Sequence, residues 1–433
     1  MSNNEIEVAV VGGGAAGIAA ARRLQNVGIE CLVLEARNRL GGRAWTITAP
    51  SGSPLDLGCG WLHSADRNPW LGIAEAQGRT IDEALPPWMR PSPDTRFPPP
   101  ERSAFREALR AFNARLAAAP TSAPDRPAAA FLERGCRWNM LISAVSTYIS
   151  GTELERISAR DLIRYNDSSV NWRVVEGYGA TIAAHGADLS VVLGCAVHRI
   201  DRSHRRLQLE TTQGTVTAEA AIVTLPTSRI SESLFTPALP QKTEAALGLP
   251  LGFADKLFLS LTDPDDFEAD SSLFGCNDKT ATAAYHLRPF GRPLIEAYFG
   301  GSLARELERG GEAAFTDFAL SELTSVFGSG FADRVAPLAI HCWGTDPLSA
   351  GAYSCALPGK AECRAALAAP VDERLFFAGE ACSRSDYSTA HGAYLTGLVA
   401  ADQAIAAREP DSGILDGGKS FNRPSQKLAL GGD

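Results

Sequence analysis

Residues 5–17 read E-I-E-V-A-V-V-G-G-G-A-A-G, and this stretch decides the fold. Its first seven residues turn from alternating to continuously apolar, which is typical of a buried parallel strand. Gly12, Gly14 and Gly17 then form a G-x-G-x-x-G pattern ahead of a helix-like run of small residues. Such glycines permit a tight turn, the approach of a pyrophosphate, and close packing of helix on strand. The stretch therefore predicts a dinucleotide-binding β-α-β unit.

An acidic residue follows at the spacing that this unit requires. A second strand-like run at residues 29–34 ends at Glu35, which lies 18 residues beyond Gly17 (35 − 17). An acidic side chain at this point binds ribose hydroxyls. A carboxylate there favours an unphosphorylated ribose and disfavours NADP. The alternative interpretation of the same pattern is a glycine-rich turn that binds no ligand.

The bulk composition limits the classes of function. With 433 residues, the chain is longer than one hydrophobic core usually serves, so we predict two domains. The formal net charge of −9 disfavours nucleic acid as a partner and suits a cationic ligand. Nine cysteines without a C-x-x-C pair, and the lack of a signal peptide, lead us to expect a cytoplasmic protein. No apolar run reaches the length of a membrane-spanning helix, about 18 residues, and no histidine cluster predicts a metal site.

Three further motifs lie far apart in the chain. Residues 35–43 read E-A-R-N-R-L-G-G-R directly after the second strand. Residues 375–380 read L-F-F-A-G-E, and residues 391–397 read H-G-A-Y-L-T-G at the start of a long helical pattern. In this order, and behind the glycine-rich turn, they resemble the signatures of the flavin amine oxidase superfamily (monoamine oxidase and polyamine oxidase type). The resemblance extends from residue 8 to about residue 407 and is strongest at the two ends.

This resemblance implies an FAD cofactor. In the family, the arginine at the position of Arg43 contacts the cofactor, and the glutamate at the position of Glu380 bonds the ribityl chain. The last helix would point its positive dipole end at the flavin. Membrane-bound monoamine oxidases bond the flavin through a cysteine where this chain has Ala352, so we expect non-covalent FAD. The implied cofactor-binding residues are Gly12, Gly14, Ala15, Ala16, Gly17, Glu35, Ala36, Arg37, Gly42, Arg43, Gly60, Trp61, Val197 (facing adenine), Trp343, Gly379, Glu380 and Ala393.

The resemblance also implies four residues for the chemistry: Lys256, Tyr353, Tyr394 and His63. The family has a lysine at the position of Lys256 that holds a water against flavin N5. Tyr353 and Tyr394 would form an aromatic cage that orients an amine by cation–π attraction. His63 ends the stretch G-C-G-W-L-H at residues 58–63, which resembles a segment of polyamine oxidases. The alternatives are a strand-edge charge for the lysine, core packing for the tyrosines and a structural role for the histidine.

Together these patterns predict an α/β fold: a Rossmann-like FAD-binding domain with an inserted α+β substrate-binding domain of antiparallel strands and helices. The substrate-binding domain is expected to begin with a loop, because residues 85–101 are dense in proline. The low-complexity end of the chain is expected to be a flexible tail. The expected ranges are 5–85, 185–255 and 349–408 for the FAD-binding domain, 86–184 and 256–348 for the substrate-binding domain, and 409–433 for the tail.

The function predicted from these residues is an FAD-dependent amine oxidase with a small-molecule amine as substrate and O2 as electron acceptor. A hydride would pass from an amine C–H to flavin N5, the imine would hydrolyse to an aldehyde, and O2 would become H2O2. One alternative is a flavin oxidase of the same fold that acts on an L-amino acid or an alkaloid amine. The other is a non-catalytic escort protein that reuses the fold to bind a partner. We expect no nucleic-acid partner and no membrane partner.

Overall fold

The computed structural model describes residues 5–120 and 123–408, so the predicted tail at 409–433 lies outside the described residues. The strands are β1 (Glu5–Val11), β2 (Cys31–Leu34), β3 (Thr46–Thr48), β4 (Pro54–Asp56), β5 (Leu62–His63), β6 (Ile81–Asp82), β7 (Asn171–Val174), β8 (Val191–Val192), β9 (Val197–Asp201), β10 (Leu207–Thr211), β11 (Gly214–Val223), β12 (Phe235–Thr236), β13 (Ala254–Leu261), β14 (Ser271–Phe274), β15 (Ala284–Leu287), β16 (Leu294–Gly300), β17 (Val335–Ile340) and β18 (Leu375–Phe377). The helices are α1 (Ala15–Asn26), α2 (Pro69–Ala76), α3 (Pro99–Ala117), α4 (Asn139–Ser150), α5 (Ala159–Arg164), α6 (Tyr178–His185), α7 (Pro240–Leu247), α8 (Gly301–Leu307), α9 (Gly311–Phe327), α10 (Cys363–Ala368) and α11 (Ala390–Ala406). Within these described ranges, no helix has both the length and the apolarity needed to cross a membrane.

The larger sheet draws its eight strands from distant parts of the chain. Its order is β12-β9-β10-β11-β1-β2-β8, and β18 pairs with β11 beside this path. β1 lies between β11 and β2 and runs parallel to both. Its last four residues are all buried, which accounts for the continuous apolar run at this point of the sequence. The predicted β-α-β unit and the α/β class are confirmed.

Glycines let the backbones around the first turn approach each other closely. Gly12 has φ +107°, and a Cβ at Gly17 would lie 1.9 Å from the Gly12 carbonyl oxygen, so the helix packs on the strand only without a side chain there. A Cβ at Gly397 would likewise lie 2.2 Å from the carbonyl oxygen of Ala16. Helices α1 and α11, from opposite ends of the chain, therefore pack against each other backbone to backbone.

The second large sheet is antiparallel and follows the order β14-β15-β16-β13-β17. Helices α8 and α9 cover one face, where Phe299 of β16 meets Phe315 of α9 edge to face at 4.9 Å between ring centroids. The other face carries polar side chains at alternating positions of β13, β15 and β16, including Lys256. This sheet confirms the predicted antiparallel strands.

Two segments differ from the expectations. Helix α3 begins at Pro99, inside the stretch predicted as a loop, because prolines are tolerated in the first helical turn, where the backbone N–H has no partner anyway. Strand β7 and helix α6, apart from its last residue, fall within the range 86–184 assigned to the substrate-binding domain. However, β7 pairs with β5 and β6, and Tyr178 and Ile182 of α6 are buried in the same cluster as β1 and α1. The chain therefore returns to the first core at β7.

A fully buried ion pair ties the two parts of the molecule together. Arg364 of α10 donates to both carboxylate oxygens of Asp161 in α5, at 2.8 and 2.7 Å. Both side chains are about 1% exposed. Arg364 also bonds the side chain and carbonyl of Ser354, so its donors are satisfied inside the protein. A buried pair of this kind is costly to break because the remaining charge has no solvent.

We predict that Asp161→Ala lowers the free energy of unfolding by about 3–5 kcal/mol, since Arg364 would stay buried without its counter-ion. Denaturant unfolding followed by circular dichroism measures this loss. Asp402→Ala, which removes the exposed partner of Arg23, serves as the control and should cost no more than about 1 kcal/mol. Equal losses in the two variants would contradict the interpretation.

A second buried pair consists of two acids. Asp255 of β13 is 1% exposed and accepts a hydrogen bond from the Trp343 backbone N–H at 2.9 Å. Burial raises the pKa of Asp255 well above its usual range, and the charge of the neighbouring Glu308 raises it further. The Glu308 carboxylate in turn accepts from the Gly344 N–H at 2.7 Å. Asp255 is therefore protonated in the folded protein where a free carboxyl group would be ionised.

A carboxyl group whose pKa is raised by folding keeps a proton that the unfolded chain releases, so it lowers stability as the pH rises above the ordinary carboxyl range. Asp255→Asn removes this loss and keeps an acceptor for the Trp343 N–H. We expect the melting temperature of this variant to rise relative to that of the wild type progressively as the pH increases above about 4, the ordinary pKa of an aspartate. Asp317→Asn, at an exposed position of α9, should show a constant difference over the same range. Parallel curves of melting temperature against pH for Asp255→Asn and the wild type would refute the assignment of a protonated Asp255.

Candidate active site

A cavity of about 510 Å³ brings together the motifs that lie far apart in the sequence. It extends from the glycine-rich turn past β13 to the start of α11. Of the residues predicted to bind the cofactor, only Gly17 does not line it, and Gly17 has the packing role described above. The predicted residues that line it are Gly12, Gly14, Ala15, Ala16, Glu35, Ala36, Arg37, Gly42, Arg43, Gly60, Trp61, Val197, Trp343, Gly379, Glu380 and Ala393.

At the first end of the cavity, two backbone N–H groups hold the carboxylate of Glu35. Gly13 donates to one oxygen at 2.6 Å and Arg37 to the other at 2.7 Å. The Arg37 guanidinium turns away to a bidentate pair with Asp346, at 2.8 Å for each bond. Burial opposes ionisation of Asp346, but the bonds from Arg37 and from backbone N–H groups lower its pKa below the usual range. The loop that carries Glu35 and Arg37 is thereby fixed against the glycine-rich turn.

The N-terminus of α1 is suited to bind an anion. Its N-cap is Gly14, and no side chain of the described residues caps the first turn. The free N–H groups of a helix start, with the positive end of the helix dipole, form a binding site for phosphate groups. Gly14 approaches Gly42 of the second motif so closely that a Cβ on Gly42 would lie 3.3 Å from the Gly14 Cα. The residues present therefore fit the pyrophosphate of a dinucleotide.

In the middle of the cavity, the second and third motifs meet. Arg43 donates to Glu380 at 3.0 Å and to the Ala352 carbonyl oxygen at 2.6 Å. Glu380 also accepts from the Ser354 hydroxyl at 2.6 Å and from the Ser388 N–H at 3.0 Å. Burial would raise the pKa of Glu380, but Arg43 and these hydrogen bonds lower it. Glu380 is therefore a buried, ionised anchor.

Lys256 lies on the opposite wall. Its strand, β13, is paired on both sides, which excludes the alternative of a strand-edge charge. The side chain is buried, and its Nζ donates to Glu296 Oε1 at 3.1 Å. A Cβ at Gly60 would lie 3.3 Å from this Nζ, so the loop at Gly60 passes close to the lysine. Two further N–H bonds of the ammonium group remain for ligands in the cavity.

Only one of the two predicted cage tyrosines lines the cavity. Tyr353 does, and its hydroxyl donates to the carbonyl oxygen of Tyr148. Tyr394 lies outside the lining and packs on Trp70 and His185, with ring centroids 4.9 and 6.1 Å away. This placement corrects the expectation of a Tyr353–Tyr394 cage and supports the core-packing alternative for Tyr394.

The reason lies in the geometry of α11. Ala390 and Ala393 line the cavity, whereas the Tyr394 ring lies in the space between Trp70 and His185. Thr389, the N-cap, also lines the cavity and accepts from the Gly392 N–H at 2.9 Å. The aromatic residues that do line the cavity are Trp61, Tyr148, Tyr298, Phe299, Trp343 and Tyr353.

His63 lines the same cavity and is hydrogen-bonded to Asn171, with 2.6 Å between Nδ1 and Oδ1. Burial lowers the pKa of His63, so the ring is neutral near pH 7. With Nδ1–H donating to the Asn171 oxygen, Nε2 is the basic nitrogen. No group of three or more His, Cys, Asp or Glu side chains that could hold a metal ion occurs in residues 5–120 and 123–408.

Three charged or titratable residues behind Lys256 escaped the sequence analysis. Glu296, Arg173 and His286 are all buried and contact one another. The signal was a charged or titratable residue inside an apolar strand, as in L-I-E-A-Y-F at residues 294–299. A buried charge is retained only where a partner of opposite sign is close.

Comparisons with known proteins agree with this geometry. The family model described as flavin containing amine oxidoreductase matches residues 15–77 and 138–405. Polyamine oxidase 5 of Oryza sativa subsp. japonica is 29% identical over 94% of this chain and 89% of its own length. Polyamine oxidase 2 of Arabidopsis thaliana is 29% identical over 93% and 88%, respectively.

A solved structure of putrescine oxidase, the wild type bound to putrescine, superposes with a TM-score of 0.72. It is 18% identical and covers 93% of this chain and 99% of its own. At this identity the likeness establishes the fold, and the family model establishes the relationship. The chain therefore belongs to the flavin-containing amine oxidoreductase family.

Proposed function

We propose that this protein is an FAD-dependent oxidase of small amines. The observation that carries the proposal is the single cavity in which three distant motifs face a wall with Lys256, Trp61 and Tyr298. When bound, FAD would supply the redox chemistry: it would take a hydride from the C–H beside the amine nitrogen and pass the electrons to O2, giving H2O2. The imine product would hydrolyse to an aldehyde and a smaller amine or ammonia.

One wall of the cavity, here the first wall, carries Glu35, Arg43 and Glu380. Its residues would hold the cofactor without a covalent bond. Glu35 would accept from the ribose hydroxyls, and the start of α1 would bind the pyrophosphate. Glu380 would accept from the ribityl chain. Ala352 has no nucleophile that could bond the flavin. The N-terminus of α11 would stabilise the negative charge that the flavin gains on reduction.

The opposite wall, here the second wall, carries Lys256, Trp61 and Tyr298. Its residues would position the amine. Trp61, Tyr298 and Tyr353 offer aromatic surface, which attracts an amine or its ammonium form. As a base, the neutral ring of His63 would accept a proton from the substrate ammonium and leave the unprotonated amine, which is the form that gives up a hydride. Lys256 would hold a water against the flavin and donate protons during reoxidation. The relatives named polyamine oxidase and putrescine oxidase support di- and polyamines as the first substrates to examine.

The first expected result is spectroscopic. The purified protein should carry, or take up, FAD, whose flavin ring absorbs at about 450 nm. Anaerobic addition of putrescine, spermidine, spermine or benzylamine should bleach this band for at least one amine, with no bleaching by L-amino acids. Bleaching by amino acids alone would establish the rival oxidase. A protein that cannot be loaded with FAD would support the escort-protein alternative.

The second expected result concerns Lys256. In Lys256→Met, reoxidation of the reduced flavin by O2 should slow by about 100-fold, the usual size of a lost proton donor. Reduction by the amine should change much less. Stopped-flow measurement of the two half-reactions separates these effects. Lys360→Met, which removes an exposed lysine paired with Glu244, should leave both rates unchanged. Equal slowing of both half-reactions in Lys256→Met would contradict the assigned role.

A further inference from the structure

A buried charge cluster stands behind the second wall of the cavity. It consists of Glu296, Arg173, His286 and Asp270. Glu296 accepts from Lys256 with one carboxylate oxygen at 3.1 Å and from Arg173 with the other at 3.0 Å. Glu296 is fully buried, and Arg173 is 5% exposed. One carboxylate is therefore shared between two cations, of which only Lys256 lines the cavity.

The outer half of the charge cluster fixes Arg173. The Arg173 Nη1 lies 3.5 Å from Nδ1 of His286, whose Nε2 lies 3.0 Å from Asp270 Oδ1. Burial and the Arg173 charge lower the pKa of His286, so its ring is neutral and accepts from Arg173 while donating to Asp270. Burial would raise the pKa of Glu296, but the charges of Arg173 and Lys256 lower it to about 2. Glu296 is thus a permanent anion.

Arg173 also supports the aromatic wall. Its guanidinium lies 5.0 Å from the ring centroid of Trp61, and the His286 ring stacks on the same indole at 6.4 Å. The indole N–H of Trp61 donates to the Tyr298 hydroxyl at 3.3 Å. Arg173 therefore contacts both Glu296 and Trp61, whose side chain faces the cavity.

We propose that Glu296 is the positioning residue for Lys256, keeping it as an ammonium ion at the cavity wall, and that Arg173 links this anion to the placement of Trp61. The inference rests on the proposed function, in which Lys256 donates protons. Without Glu296, two cations would face each other in a medium of low dielectric constant, and the lysine would lose its proton more readily.

The other titratable groups around Lys256 do not replace this anion. Asp56 is held by the backbone N–H groups of Tyr178 and Gly179, at 3.0 and 3.1 Å. Burial raises the pKa of Cys59 to about 12 and that of Tyr298 well above its usual range, so both are neutral. Glu296 is therefore the anion that contacts the Lys256 ammonium directly.

The test follows the protonation of Lys256 directly. The chain has six lysines, so ¹³C labelling of the lysine ε-carbons gives a simple NMR spectrum, and loss of one signal in Lys256→Met assigns it. In Glu296→Gln, which keeps the shape but removes the charge, the titration midpoint of this signal should fall by about 1–3 pH units. Glu296→Asp, which keeps the charge, should leave the midpoint close to that of the wild type.

The matched control is Glu322→Gln. Glu322 is a partly buried glutamate under the opposite face of the same sheet, where it accepts from Tyr285 at 2.8 Å. This variant should leave the Lys256 midpoint in place. An unchanged midpoint in Glu296→Gln, or an equal shift in Glu322→Gln, would overturn the inference.

The functional readout uses reduced flavin produced by light, without any amine. The rate of its reoxidation by O2 should decline at a lower pH in Glu296→Gln than in the wild type, by the same shift as the NMR midpoint. Arg173→Gln should instead raise the KM for the amine about 10-fold, through Trp61, a loss typical of one aromatic contact. A wild type that binds FAD but oxidises no amine would contradict the proposed function, while the NMR result would still decide the role of Glu296.

Discussion

The ion pair between Arg43 and Glu380 is the contact on which the rest of the site depends. It joins residues separated by 337 positions in the chain, and the Glu380 carboxylate is buried, so its charge would be costly without the cation. The same carboxylate accepts from Ser354 and from the backbone of Ser388. Three stretches of chain are therefore tied to one anion, and the cavity takes its shape from their meeting.

The two walls share one electrostatic arrangement. On each, a cation that lines the cavity is paired with a buried carboxylate: Arg43 with Glu380 on one side, Lys256 with Glu296 on the other. A cofactor that gains negative charge on reduction would meet positive groups on both sides, although the chain as a whole has a net charge of −9. The charge of the whole protein therefore says little about the field inside the site.

Motifs that depend on backbone geometry could be predicted from the sequence. The glycine-rich turn, Glu35 and the F-A-G-E segment each have local requirements, and the structure brings them to one cavity. Tyr394 was misplaced because a motif gives the order of residues along a helix but not the direction in which each points. Glu296 was missed because its partners, Arg173 and Lys256, come from other strands, and only the fold brings them together.

The contact between α1 and α11 has a consequence for biosynthesis. The first motif leaves the ribosome early, yet the helix that packs against it ends at Ala406, and β18 of the same sheet begins at Leu375. During translation, the β-α-β unit must wait until β18 and α11 have been synthesised before its sheet and helix layer are complete. Cofactor capture would therefore be a late event, and a chain that stops before residue 375 would expose the apolar edge of β11 instead.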